Sequence, residues 1–178
     1  MGISKLITTL TADDDTGLAD TSSITSAYDE YMFVCTDIGP ATDNVNFTFN
    51  CSIDGGSNYN VTKTSSSFMS YMMENNAAAN VTYSTGRDHA QATGYQILTS
   101  GSGNGADESS AGILHLFSPA STTYVKHFYS KFNNYYNGNE LYTHHMSGYF
   151  NDTNDIDAIS FVMSSGNFDG VIQIYGIS

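Results

Sequence analysis

The feature that most constrains this chain is a strict two-residue alternation between positions 45 and 53. Apolar side chains occupy every second position, and small polar side chains fill the positions between them: Val45, Phe47, Phe49, Cys51 and Ile53 alternate with Asn46, Thr48, Asn50 and Ser52. Since neighbouring side chains on a β-strand point to opposite faces, this pattern predicts a strand with one buried face and one wet face.

The same period predicts further short strands along most of the chain. The segments are 31–35, 59–64, 80–84, 94–99, 112–117, 124–132, 140–150, 157–163 and 170–177, each bounded by Gly, Asn, Asp or Ser. Short strands separated by turn residues, with no alternation of strand and helix, indicate an all-β fold: an antiparallel β-sandwich or jelly roll with little helix. Residues 67–79 fit two turns of helix as well as a strand.

A chain of 178 residues is expected to form one domain. We predict a single sandwich domain over residues 27–178. Residues 1–26 precede the first clear strand and are expected to form an N-terminal arm that leaves the body and docks on a neighbour. Residues 101–110, rich in Gly and Ser, are expected to form a mobile surface loop.

Composition excludes several classes of function. Five Lys and Arg against eighteen Asp and Glu give a net charge of −13, which lacks the basic footprint of a nucleic-acid-binding protein. No apolar stretch is long enough to span a bilayer, so no membrane insertion is expected. The first seven residues are too short an apolar run for a secretory signal, so we expect synthesis in the cytoplasm.

The two cysteines, Cys35 and Cys51, are expected to be reduced and buried. If their strands pair as a consecutive antiparallel hairpin, Cys35 lies opposite the start of the second strand and Cys51 lies far along it. Bridged cysteines need Cα atoms within about 7 Å, so this geometry forbids a disulfide.

No catalytic constellation stands out, so we expect neither an enzyme nor a cofactor. A Gly-x-Ser-x-Gly elbow is absent, and the four Glu give no sign of a convergent pair. His144 and His145 are neighbours on a predicted strand and point to opposite faces. Asp152, Asp155 and Asp157 are weak calcium candidates, because their segment lacks the Gly and the final acid of a calcium loop; a simple turn is favoured.

The densest unusual feature is aromatic. Residues 124–150 contain nine of the 23 Tyr and Phe residues, interleaved with Asn. Rings stack on sugars and amides bind sugar hydroxyls, while the same mixture also suits a protein contact. We single out Tyr124, Tyr129, Asn133, Tyr135, Tyr136 and Asn137 as an oligomer or glycan surface. The alternative is that Phe128 and Phe132 are core and the tyrosines merely line a sheet. Lys126 and Lys131 are expected to meet a neighbour's acidic patch.

The last third of the chain resembles a known family. The segments 121–126, 148–150 and 157–161, followed by Ser-Gly-Asn-Phe-Asp-Gly-Val-Ile-Gln-Ile-Tyr-Gly-Ile at 165–177, are similar to the C-terminal end of β-sandwich virion proteins of tailed phages, particularly marine and cyanobacterial ones. The resemblance covers residues 110–178. It implies a non-enzymatic structural protein located in the virion. It also implies a terminal hairpin, with one strand ending at Met163 and a turn through Gly166 and Asn167.

The absence of a heptad shaft or repeat favours a capsid decoration protein within that family. Such a protein binds the major capsid protein or other virion proteins, and we expect a homotrimer with contacts around residues 124–136. The expected anchors in the arm are Ile3, Leu6, Ile7 and Leu10. The alternative is a receptor- or glycan-binding module of a tail appendage or fibre, which would present the Tyr and Asn surface to a host glycan.

Overall fold

The computed structural model describes residues 4–178, so the predicted anchor Ile3 lies outside the described residues. In this range the chain forms thirteen strands: β1 (Ser4–Asp15), β2 (Leu18–Asp20), β3 (Glu30–Pro40), β4 (Val45–Ser52), β5 (Lys63–Met73), β6 (Ala79–Tyr83), β7 (His89–Ala92), β8 (Gln96–Ser102), β9 (Ser110–Phe117), β10 (Lys126–Tyr136), β11 (Glu140–Phe150), β12 (Ala158–Met163) and β13 (Phe168–Ile177). Between residues 4 and 178 no helix has the length and apolar character needed to cross a membrane.

The strands form two antiparallel layers. The large sheet has the order β1-β13-β3-β9-β10-β11-β5, and both β6 and β7 pair with the far edge of β5. The small sheet has the order β2-β12-β4-β8. One residue pair, Tyr136 with Ser102, connects β10 to β8 and so joins the two sheets. The predicted all-β, antiparallel fold is confirmed.

Aromatic rings from both sheets fill the space between them. On the small sheet, Phe47 lies 5.8 Å from Phe161 and 5.8 Å from Phe168, measured between ring centroids. Its neighbour Phe49 contacts Phe128 of the large sheet at 5.4 Å in an edge-to-face arrangement. Burial of each such ring contributes roughly 1.5–3 kcal/mol, so this cluster is the main source of sandwich stability.

A second part of the interior is polar. The Lys63 ammonium is buried and donates to the Gly94 carbonyl at 2.5 Å. Burial lowers the pKa of Lys63 to about 8, partly opposed by Cys51. The Ser65 hydroxyl donates to Gln96 at 2.6 Å. Buried polar groups cost stability unless they are hydrogen-bonded, so these contacts are needed to close the sandwich here.

The N-terminal segment departs from the prediction of an arm. Residues 4–15 form the edge strand β1, which pairs with β13 from Ser4 opposite Ile177 to Asp15 opposite Phe168. Ile7 and Leu10 both pack against the hydrophobic core, because a register shift between Leu6 and Thr8 interrupts the alternation of β1. The described part of the segment therefore belongs to the sandwich, and Leu6 remains exposed.

Two predicted hairpins are wrong. Strands β3 and β4 lie in different sheets, and so do β12 and β13, so the turn through Gly166 and Asn167 crosses between layers. The prediction of two free, buried thiols is confirmed, although its hairpin argument is not. Burial raises the pKa of Cys35 and Cys51, so both thiols stay protonated at neutral pH.

The ambiguous segment 67–79 is resolved as strand. β5 runs on to Met73 and a turn leads into β6, which begins at Ala79. In the predicted loop 101–110, the first three residues are buried and residues 104–107 are exposed. Gly101 has a φ of 64° and lies against Tyr136, where a Cβ atom would clash with the ring, so this position requires glycine.

Candidate functional site

The outer face of the large sheet, hereafter the open face, carries most of the exposed apolar surface. Nine large apolar side chains are exposed among residues 4–178, and eight of them point outward from this sheet: Leu6, Phe68, Met72, Val81, Tyr83, Ile113, Tyr129 and Leu141. The ninth, Tyr124, lies in the loop before β10. A concentration of this kind on one face marks an interaction surface.

Five of these side chains form one contiguous group, the hairpin patch, at the β5–β6 end of the open face. It consists of Phe68, Met72, Val81, Tyr83 and Leu141. The register places Phe68 beside Tyr83 and Met72 beside Leu141, on three adjacent strands. Val81 is 68% exposed, the highest value of the group. The hairpin patch is therefore a broad apolar area without a covering element in the described chain.

Two polar neighbours fix the orientation of rings in the hairpin patch. His145 stacks on Phe68 with ring centroids 4.8 Å apart and an interplanar angle of 7°. The Tyr83 hydroxyl donates to an Asp88 carboxylate oxygen at 2.7 Å, and this hydrogen bond raises the pKa of Tyr83. Rings held in this way lose little conformational freedom on binding a partner.

A second feature of the open face is a groove of about 450 Å³ beside Tyr129. Phe117, His127, Tyr129 and Tyr149 line it, and Ser66 and Ser147 also contribute to its surface. The Tyr129 ring stacks on His115 at 4.5 Å, and Phe117 lies 5.7 Å away, both on β9. The opposite side of Tyr129 faces β11, where its register partner is the small residue Ser147.

The central strands of the open face carry few acids, although the chain has a net charge of −13. Of the side chains at the outward positions of β3, β9, β10, β11 and β5, one is acidic. It is Glu30, whose carboxylate lies 2.5 Å from Nδ1 of His115. Lys131 and His127 lie on the same face of β10 as Tyr129 and are exposed. Acidic side chains border this face, with Glu74 and Asp107 near Leu141 and Asp88 on Tyr83.

The six Tyr and Asn residues that the sequence singled out do not share one surface. Tyr129, Asn133 and Tyr135 point outward from β10, whereas Tyr136 points inward and stacks on Tyr142 at 4.2 Å. Asn137 is exposed in the turn after β10, and Tyr124 precedes the strand. Burial, followed by the nearby charge of Glu74, raises the pKa of Tyr135.

Lys126 is buried and does not reach a neighbour, contrary to the sequence expectation. Its ammonium donates to the carbonyl oxygen of Asp152 at 3.1 Å and to that of Asn154. Lys126 begins β10 on the inward-facing side, which explains this position. Lys131, five residues later, is exposed as expected.

The segment considered for calcium holds this lysine instead. Asp152 accepts hydrogen bonds from the backbone N–H and side-chain amide of Asn154, and Asp157 accepts one from Gly55. Asp155 is exposed. Among residues 4–178 no group of three or more His, Cys, Asp or Glu side chains has the arrangement of a metal site.

Sequence reasoning missed the hairpin patch and the partners of Tyr129 in the groove. One signal was present: residues 67–73 carry large apolar side chains at odd and even positions alike, which a strand with one wet face would not show. The groove gave no such signal, because Phe117, Tyr129 and Tyr149 come from three strands whose register is not readable from local pattern.

Comparison of the chain with protein-family models, with curated proteins and with solved structures finds no match. What the open face can bind is therefore inferred from its own side chains. Exposed apolar side chains, stacked rings and hydroxyl groups suit the binding of another surface or of a flat, hydroxyl-bearing ligand.

Proposed function

We propose that this protein is a non-enzymatic structural protein of a tailed-phage particle, and that it decorates the shell by binding assembled capsid protein. The similarity of residues 110–178 to β-sandwich virion proteins of tailed phages supports the virion assignment. The observation that carries shell binding is the hairpin patch, whose five large side chains are between 41% and 68% exposed.

The hairpin patch suits a protein partner better than a small ligand. It is spread over three adjacent strands of a sheet, where five large apolar side chains surround the small residue Ser70, and the Asp88 carboxylate lies at its edge on Tyr83. Interfaces between proteins have this character, with aromatic residues and Met at the core and charged residues at the rim. A partner that buries these side chains removes their exposure to water, at roughly 25 cal/mol for each Å² buried.

Decoration requires that the protein bind the assembled lattice and not the free subunit. Binding energy then stabilises the particle through linkage, because only the assembled state offers the site. The contact proposed here replaces the N-terminal anchors, since Ile7 and Leu10 are part of the core packing and Leu6 is exposed without them. A homotrimer remains part of the proposal, and sedimentation velocity of the purified protein tests it.

Cosedimentation tests shell binding. The purified protein is mixed with undecorated capsids and, separately, with host cells. We expect it to pellet with capsids, and we expect the triple variant Phe68→Ser, Val81→Ser, Leu141→Ser to lose at least about tenfold in apparent affinity, since each exchange removes part of the buried apolar area. Tyr124→Ser is the matched control, because Tyr124 is 74% exposed outside the patch. Capsid binding that survives the triple variant would contradict the assignment of the interface.

The second candidate is a host-binding module of a tail appendage or fibre. The groove beside Tyr129 favours it, because stacked rings next to hydroxyl groups match the surface of a sugar. The host-cell arm of the same experiment separates the two: binding to cells without binding to capsids favours this candidate and excludes decoration.

A further inference from the structure

We infer that the groove beside Tyr129 is a binding site for an acidic saccharide, a pyranose ring that carries a carboxylate. The site names the ligand class of the host-binding candidate and does not depend on shell binding at the hairpin patch. The residues that line it include Tyr129, Ser147, Ser66 and His127, and Lys131 is the next outward side chain along β10, just beyond the groove.

The stacking platform is the face of Tyr129 that points toward β11. His115 covers the other face, with an interplanar angle of 15° and ring centroids 4.5 Å apart. Across β11 the register continues from Tyr129 to Ser147 and then to Ser66, both small. These serines leave space over the sheet that larger side chains would fill. The apolar face of a pyranose fits against such a ring.

The platform is held in place before any ligand arrives. Phe117 packs near the ring at 5.7 Å, and His115 is anchored by the Glu30 carboxylate at 2.5 Å. Tyr129 nevertheless remains 43% exposed, so the ring is both oriented and accessible. A ring that is already oriented gives up little entropy when a ligand stacks on it.

Hydroxyl and nitrogen groups surround the platform where sugar hydroxyls would lie. Ser66 and Ser147 offer hydroxyls beside the ring, and His127 and Tyr149 lie at one end of the groove. Each hydroxyl can donate and accept, which matches a sugar hydroxyl. The groove is shallow and open to solvent, with a volume of about 450 Å³.

Charge selects the acidic class of sugar. Along β10 the outward side chains read His127, Tyr129 and Lys131, so a nitrogen donor lies roughly 7 Å along the strand on each side of the ring. The Glu30 carboxylate contacts His115, and His115 covers the face of the Tyr129 ring that points away from the groove. A ligand carboxylate that extends from the ring along β10 therefore meets the exposed ammonium of Lys131, whereas a basic amino sugar meets repulsion there.

Binding to paired oligosaccharides tests the site. The probe is an array of uronic-acid oligosaccharides, each with its carboxyl-reduced counterpart, read with the intact purified chain. We expect at least one acidic member to bind about tenfold or more tightly than its reduced counterpart. Tyr129→Ala should weaken that binding about tenfold or more. Tyr129→Phe should retain it, because the face of the ring makes the stacking contact with the sugar. Lys131→Gln should bring the acidic and reduced members close together.

Two further variants distinguish loss of the binding site from loss of the fold. Ser147→Phe places a ring against the free face of Tyr129, fills the groove and should also prevent binding. Tyr175→Ala changes an outward ring on β13 that does not line the groove, and it should bind as the parent does. Absence of binding to every acidic member, equal binding of the reduced members, or full binding by Tyr129→Ala overturns the site. Capsid cosedimentation of Tyr129→Ala separates this outcome from failure of the decoration proposal.

Discussion

The outer faces of the two sheets contrast in polarity and exposure. On the small sheet the outward side chains Thr48, Asn50 and Ser52 are polar, yet they are buried. On the large sheet the outward side chains Phe68, Val81 and others are apolar, yet they are exposed. The chain's own loops cover the polar face, while the described chain leaves the apolar one open.

Hydrogen bonds explain how the small sheet is closed. The Asn50 amide nitrogen donates to the carbonyls of Tyr59 and Thr93, at 2.6 and 2.9 Å, and its oxygen accepts from the Cys51 backbone N–H. Tyr95 reaches the same face through Ser160. Polar outward residues on this sheet therefore serve folding. Apolar outward residues on the large sheet make few such contacts and are available to a partner.

Asn50→Ala gives the sharpest test of this contrast. The exchange removes three hydrogen bonds in a fully buried position and leaves two loop carbonyls without their donor. We expect the free energy of unfolding to fall by about 3 to 4 kcal/mol. Urea denaturation followed by circular dichroism measures it.

Asn133→Ala is the matched control on the open face. Asn133 is exposed on β10, so its truncation should change the free energy of unfolding by less than about 0.5 kcal/mol. Equal losses from the two exchanges would show that the small sheet is not held closed by Asn50, and the contrast between the faces would fail.

Acid should weaken the fold through His144. Burial, then Arg87 and His145, lowers the pKa of His144 to about 4, against an ordinary value of 6.5. Its Nε2 donates to the Asn134 side-chain oxygen at 3.0 Å, which fixes the neutral tautomer. The unfolded chain takes up this proton first as pH falls, so the contribution is complete above about pH 6.5 and is lost toward pH 4. The expected loss is about 2 to 3 kcal/mol.

The neighbouring histidine provides the control for this pH dependence. His144→Gln should remove that part of the stability loss between pH 7 and pH 4, measured by denaturant titration at each pH. His145 lies on the open face against Phe68, and His145→Gln should keep most of the slope, because burial, the main cause of the lowered pKa of His144, is unchanged. A slope that persists in His144→Gln would assign the acid sensitivity to other groups.

Local pattern predicted the strands but not their partners. The alternation at 45–53 predicted the strand β4 correctly, but the expected wet face was wrong, because loops of the chain bury Thr48, Asn50 and Ser52. The pairing of β3 with β9 and β13 depends on contacts between residues far apart in sequence, and no local pattern encodes it. The two wrong hairpins have this cause.

The candidate site shows the same limit. On β10 aromatic residues stand on both faces, with Phe128 and Tyr136 inward and Tyr129 and Tyr135 outward, so composition could not separate core from surface. Lys126 is buried because the segment after β11 supplies carbonyl oxygens to its ammonium, which a charge count cannot reveal. Tyr129 was identified correctly as outward, whereas its groove depends on Ser66 and Ser147 of other strands.

Two lysines of β10 give the next comparison. Lys126 is buried and donates to two backbone carbonyls, whereas Lys131 is exposed on the open face. We expect Lys126→Met to lower the free energy of unfolding by about 2 kcal/mol, because these carbonyls lose a charged donor. Lys131→Met should leave stability within about 0.5 kcal/mol. Thermal and urea denaturation measure both, and a neutral Lys126→Met would mean that apolar packing replaces the ammonium without loss.

The smallest expected change is in the hairpin patch, where stability and binding should separate. Val81 is 68% exposed, so Val81→Ser removes little buried apolar area and should shift the free energy of unfolding by less than about 0.5 kcal/mol. Urea denaturation is the measurement. A loss of more than about 1 kcal/mol would mean that the patch is stabilised within the folded chain, as the outer face of the small sheet is. A small change would mean that Val81 contributes little to folding. The exposure of the patch would then be explained by a partner that binds it. The outer face of the small sheet would serve folding, and that of the large sheet would serve binding.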